Sequence, residues 1–334
     1  MNTGFPQDVQ DFLSYNTLKE QKFEIVNEYY ELHQYKDMSF DRKIAMIDYR
    51  QENKSICQNE EFQKEFARRL DKLKDLGFSF VACSPYENSL AKKPSYGYGG
   101  FYPDLADVEC KHWWSEDTFW WFYMHRKYSG KQFVFDHSEK KFDFLYLNKM
   151  KRQYRIKLWN ELNDGELLDN SIKTFHSIRP DLQMPDGYEL PYVQNNYPIV
   201  SNYDQDIFEK PYNHSAISVV SEGDIDDVLL TEKIFKPIIA SQPFVVHGYK
   251  GILATLRGLG FKTFDPYIDE SYDDAENDDD RRGLIRQSLE KIKKQDYKKL
   301  YADTQSIREH NSKHFWDKKS VSKQVNKTIQ SWLD

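Results

Sequence analysis

Cysteine is scarce: Cys57, Cys83 and Cys110 are the only three in 334 residues. Their spacing makes no metal-binding pattern and an odd number cannot pair fully, so a reducing compartment, the cytoplasm, is expected. No apolar run is long enough to be read as crossing a bilayer. The first residues lack the basic and apolar regions of a secretory leader. Walker A loop, dinucleotide glycine fingerprint, zinc-protease helix and serine elbow are all missing. Gly97, Gly99 and Gly100, in a tyrosine-rich loop from Pro94 to Pro103, are too weak a cluster for a phosphate loop. An excess of positive charge is missing too. With 47 basic and 54 acidic residues the formal charge is -7, which disfavours indiscriminate binding to nucleic acid. Local basic patches remain, at Lys149 to Lys157 and at Lys291 to Lys299.

Aromatic side chains are abundant: 22 Phe, 23 Tyr and 7 Trp argue for a folded chain. They are densest from Trp113 to Tyr128. That block reads either as a buried helix supplying core contacts or as an aromatic platform for a sugar or a base. Before it, Lys22 to Tyr30 holds a Phe-Glu-Ile-Val run that suits a strand or a helix start. Phe62, Phe66, Leu70 and Leu73 share one helical face, Gly77 suits a C-cap, and Phe78 to Cys83 reads as a buried strand. A helix, a glycine and a short apolar strand make a unit of an α/β fold.

The second half alternates more regularly. Strands are expected at Phe142–Leu147, Ser171–His176, His214–Ser221 and Phe244–His247, with another beginning at Phe261–Phe264. Helices are expected at Arg155–Leu162, from near Thr231, and over Gly251–Leu259. A parallel sheet with crossover helices fits this alternation. Pro180 to Pro211, rich in Pro, Asn, Tyr and Asp, reads as a long connection. The acidic stretch from Tyr272 to Arg282 lacks EF-hand spacing and reads as a solvated loop. A charged helix follows from Arg282, and Val321 to Leu333 reads as a final amphipathic helix.

Two places suit chemistry. After the strand at Phe142–Leu147 come Lys149, Lys151, Arg152 and Arg155, a basic entry to a helix of the kind that suits an anion. After the strand ending at Ser221 comes Glu222, at the carboxyl edge where open α/β sheets bind ligands. Thr231 is a fair N-cap whose helix start would hold a phosphate. Glu232 would accept from sugar hydroxyls, and Lys233 and Lys236 would neutralise a diphosphate. Equally, Glu232 and Lys236 are placed as an i,i+4 surface pair.

Beyond these readings, Leu230-Thr231-Glu232-Lys233-Ile234-Phe235-Lys236-Pro237-Ile238, Gln242 to Val246, Leu256 to Phe264 and Asp269 to Tyr272 resemble the C-terminal domain of bacterial and phage glycosyltransferases. The Thr-Glu-Lys segment also resembles the donor motif of fucosyltransferase-like enzymes. Phe144 to Asn148, with Arg152, Arg155 and the Leu167 to Asn170 turn, resembles the segment leading into that domain. The likeness spans roughly residues 140–310.

It implies a GT-B-like α/β fold of two Rossmann-like domains facing a cleft: an acceptor-side domain over 1–140, a nucleotide-sugar-binding domain over 141–310, and a C-terminal helix over 311–334 packing across the body. By the same resemblance the donor is a nucleotide-activated sugar, lined by Glu222, Thr231, Glu232, Lys233 and Lys236, with Arg152 and Lys149 approaching the diphosphate from the other side of the cleft. No metal is expected, because cationic side chains and a helix start would stabilise the leaving diphosphate. Asp104, Asp107 and His125 are candidates for the base of an inverting transfer. The acceptor is a surface glycan or its precursor, or a modified, hydroxymethylated base in phage DNA; for a viral chain the compartment is the host cytoplasm. A non-catalytic carbohydrate- or nucleotide-binding protein is the rival of another class.

Overall fold

The structure is a computed structural model; it describes Tyr15, residues 23–27 and 42–48, Arg68, and residues 71–83, 110–113, 116–149, 151–175, 207–226 and 229–333. The chain divides into two compact units: Met1–Tyr123 with Lys318–Asp334, and Met124–Asp317. Among the described residues no helix is long and apolar enough to cross a membrane.

In the first unit, β1 (Phe23–Asn27), β2 (Arg42–Asp48), β3 (Ser79–Cys83) and β4 (Cys110–Trp113) form a parallel sheet in that order. The Phe-Glu-Ile-Val run is therefore a strand. β2 and β4 were not legible in the sequence. Of the helix expected over 62–76, residues 71–75 are helical and bury Leu73. It ends as the glycine requires. Gly77 adopts φ +81°, its N–H bonds Lys74 O and the Phe78 N–H bonds Leu73 O, the paired pattern of a left-handed helix stop. The loop from Pro94 to Pro103 lies outside the described residues.

The aromatic block forms α1 (Glu116–Tyr128). Trp121, Phe122, Met124 and Tyr128 are buried, so this helix is core, and these rings offer no open stacking face. The last helix, α9 (Lys318–Leu333), buries Val321, Val325 and Ile329 at i,i+4 spacing.

The second unit holds a four-stranded parallel sheet ordered β6-β5-β7-β8: β5 (Phe142–Asn148), β6 (Ser171–Phe175), β7 (Ser215–Ser221) and β8 (Phe244–His247). Every residue of β7 and β8 is buried, as expected of strands covered on both faces. Helix α2 (Gln153–Asn163) joins β5 to β6 and inserts Trp159 between Tyr146, stacked at 5.7 Å, and Phe175, edge-on at 5.4 Å. Before β7 runs α3 (Glu209–His214), within the stretch read as connection; residues 176–206 lie outside the described set. α4 (Glu232–Ile239) links β7 to β8, and α5 (Ile252–Gly258) follows β8.

Two expectations fail here, each for a physical reason. Phe261–Phe264 forms no strand. Its backbone finds side chains in place of a neighbouring strand: Asn311 accepts from Lys262 N at 2.7 Å and donates to Lys262 O at 2.8 Å, and Glu270 accepts from Phe264 N at 2.6 Å and Asp265 N at 3.0 Å. The acidic stretch is solvated as expected at Asp274, Glu276, Asp279 and Asp280, but it is not a loop. It holds a 3-10 turn (Ser271–Asp274) and the start of α6 (Asp278–Lys293), four residues before Arg282. Asp273 is buried, and Asp278 and Asp279 both pair with Arg282. α6 then braces α2 from its far end: Arg286 donates to Glu161 O and Asp164 O, and Lys293 to Glu166 O, cations placed against helix-terminal carbonyls. α7 (Tyr297–Asp303) and α8 (Gln305–Trp316) complete the unit.

Candidate functional site

Strand order reverses at β5: β6 lies on one side of it and β7 on the other. The crevice outside the carboxyl ends of such a pair is where open α/β sheets bind ligands. At those ends stand Asn148 with Lys149, and Ser221 with Glu222; Tyr146 Oη lies 3.4 Å from Ser221 Oγ. Both sequence-chosen places therefore meet at one switch point.

Among the described residues three helices begin at this edge, and their starts differ. At α4 the side chain of Thr231 caps Lys233 N, and the Glu222 carboxylate reaches the same helix start. Its Oε1 accepts from Thr231 N and Ile234 N, each at 3.2 Å; its Oε2 accepts from Thr231 Oγ1 at 2.5 Å and Gly223 N at 3.0 Å. At α5, Asp273 Oδ2 accepts from Leu253 N at 3.0 Å. An internal carboxylate thus fills the anion seat of both helices. α2 is different: its N-cap is Arg152, no side chain caps it, and its first turn holds no acid. The phosphate seat that the sequence placed at Thr231 is already taken by Glu222, and the uncapped start is the one after β5.

Glu222 is completely buried. Burial raises its pKa, against the opposing pull of Lys233 and Thr231. Its neighbour Glu232 is nearly buried yet has a lowered pKa: burial pushes it up, and Lys233 and Lys236 more than offset that. Lys233 Nζ lies 2.6 Å from Glu232 Oε1 and 3.2 Å from Thr231 Oγ1, and is the more exposed of the ion pair. Glu232 therefore forms its ion pair with the adjacent Lys233, and Lys236, one helical turn on, also lowers its pKa.

Arg152 stands in the same unit as the Glu222 segment and reaches it directly: Nη1 donates to Gly223 O at 2.5 Å. Tyr154 Oη donates to Glu222 O and Gly223 O, and Arg155 Nη2 donates to Glu222 O at 2.6 Å. This is not an approach from across a cleft. His125 is placed elsewhere: it is buried in α1, packed on Phe315 and Trp316, with Nε2 3.3 Å from Trp316 O. Asp104 and Asp107 lie outside the described residues.

Among the described residues no group of three or more His, Cys, Asp or Glu is placed to hold a metal ion. No family model matches the chain, and no curated protein does. Among solved structures it is similar to a DNA-modifying β-glucosyltransferase determined with and without uridine diphosphoglucose, at 12% identity over 90% of this chain and 83% of that one, with a TM-score of 0.43. It is also similar to an α1,3-fucosyltransferase, at 10% identity over 89% of this chain and 94% of that one, TM-score 0.37. The same type of enzyme with GDP-fucose gives 11% identity over 91% and 97%, TM-score 0.30.

Further polar groups stand at this edge. Asn148 Nδ2 and Arg155 Nε are buried and lack a protein partner. The sequence marks Arg155 in the basic entry to the helix and in the family resemblance, and Asn148 only as the end of a strand. His247, at the end of β8, is wholly buried with Nε2 2.7 Å from Asp278 Oδ1. By contrast, an open cavity of about 600 Å³ beside α3, lined by Phe133, Phe208 and Lys210 among others, lies before β7 begins and so toward the amino edge. It shares no residue with this chemistry.

Proposed function

We propose that this chain is a glycosyltransferase of GT-B-like architecture, moving a sugar from a nucleotide-sugar donor to a hydroxyl acceptor. The observation that carries the reading is the meeting, at the switch point of the second sheet, of an uncapped basic helix start with the Thr231-Glu232-Lys233 segment. The start of α2, with Lys149, Lys151 and Arg152 around it, seats the donor diphosphate; its backbone N–H groups and cations stabilise the leaving group as charge develops. Asn148 Nδ2 and Arg155 Nε are buried donors in reserve at that edge. Lys233, the exposed partner of its ion pair, adds a cation from α4. Glu232 keeps its charge and accepts from donor hydroxyls. Lys236 lies on the same helix and holds Glu232 ionised. No metal is needed for this charge balance.

For an inverting transfer the base is Asp104 or Asp107, since His125 is buried against Phe315 and Trp316. The acceptor is a glycan hydroxyl or a hydroxymethylated base in DNA. A non-catalytic nucleotide- or carbohydrate-binding protein would keep the same seat without turnover.

Transfer assays test the site. Lys233→Ala and Arg152→Ala should each lower kcat/KM by about 10²-fold, as removal of a charge that stabilises the transition state does, with circular dichroism unchanged. Full activity in both variants would sink the donor-site assignment. Supplying labelled donor with hydroxymethylated DNA or a glycan extract separates the acceptors: label in glycan alone rejects DNA, and no label in either favours the binding protein.

A further inference from the structure

The family resemblance implies that Glu222 lines the donor pocket, but its carboxylate has no free face. It is 0% exposed, and its two oxygens accept four hydrogen bonds from Gly223 N, Thr231 N, Thr231 Oγ1 and Ile234 N. Its backbone is committed as well. Its N–H bonds His247 O at 2.9 Å, extending the β7–β8 ladder, and its carbonyl receives Tyr154 Oη and Arg155 Nη2. One residue therefore holds the start of α4 with its side chain and the first turn of α2 with its carbonyl.

We infer that Glu222 is a positioning residue: it sets Thr231, Glu232 and Lys233 on α4 at a fixed spacing from Arg152 and the open helix start of α2, so that both halves of the site meet one diphosphate. The inference rests on the proposed function, because that diphosphate is its ligand. Glutamine cannot replace the carboxylate. It offers one acceptor oxygen, and its amide N–H groups would face the Gly223 N–H, which then has no acceptor. Thr231 carries the other half of the link through its hydroxyl.

The test is binding of UDP, GDP, CDP and dTDP to the full chain by calorimetry, well below the melting temperature of each variant. For the nucleotide that wild type binds, Glu222→Gln and Thr231→Val should weaken the Kd by about tenfold or more, the loss of roughly one well-made charged hydrogen bond. Thr231→Ser keeps the hydroxyl and should stay within about twofold of wild type. Tyr297→Phe is the control for general loosening. It removes a 2.8 Å hydrogen bond to Asp143 at the opposite end of β5 and should leave the Kd unchanged. If Glu222→Gln does not fold, Thr231→Val against Thr231→Ser carries the test. Wild-type Kd in both Glu222→Gln and Thr231→Val overturns the inference alone, as does an equal loss in Tyr297→Phe. Wild type binding none of the four nucleotides overturns the proposed function, and this inference with it.

Discussion

His247 sits at the carboxyl end of β8 with its ring wholly enclosed. Burial, with Arg281, Arg282 and Arg155 nearby, pushes its pKa down to about 3, so the neutral ring donates from Nε2 to Asp278. His137, half-buried and beside Lys140, is likewise lowered, to about 4. A histidine held below its unfolded value of 6.5 binds fewer protons folded than unfolded. Its contribution is complete above pH 6.5 and is lost as pH falls toward the folded value. Stability to urea should therefore rise with pH between about 4 and 6.5. His247→Gln keeps a donor toward Asp278 but cannot titrate, so it should flatten part of that slope. An unchanged slope in the variant would show that His247 is not held neutral. Neighbouring Glu222 teaches a related lesson. Its place at a strand end marked it as important, but only the structure showed that its charge is spent on a helix start.

Elements in this chain were legible where local pattern and tertiary context agree. The apolar runs of β5, β7 and β8 and the Thr231 cap of α4 could be read directly, because buried parallel strands and capped helix starts are local signals. Phe261–Phe264 looked the same locally and is not a strand. Its pairing partner is the side chain of Asn311, fifty residues away in the chain to the nearest ten, and no window over the segment contains it. Asn311→Leu should therefore cost about 1–3 kcal/mol, since it strands two backbone groups of Lys262 without a partner. Guanidinium denaturation measures this; a loss below about 0.5 kcal/mol, within the range of ordinary surface changes, would mean water replaces the amide. The acidic stretch exposes most of its acids, as its composition suggests, but is helical rather than a loop, for the mirror reason. Asp273, Asp278 and Asp279 are paired by α5 and Arg282, partners that composition alone does not supply.

At the scale of the molecule, the formal charge of -7 says little about the site, because acid and base are segregated. Among the described residues, two helix starts on the carboxyl edge of the second sheet are neutralised by internal carboxylates, and a third is left basic. That contrast is invisible to a sequence reading, which offers Thr231 as a fair N-cap but does not show Glu222 filling its helix start. The switch point itself was half legible: the strands were placed, but their order β6-β5-β7-β8 depends on pairing that no single segment reveals. The central claim is that this basic edge binds a nucleotide-sugar diphosphate. Thermal unfolding with a panel of UDP-, GDP-, CMP- and dTDP-sugars tests it most directly. A donor at 100 times its Kd should stabilise the chain by about 2.7 kcal/mol, a rise in Tm of several degrees that Arg152→Ala abolishes. No shift with any donor, or an equal shift in Arg152→Ala, would contradict the account.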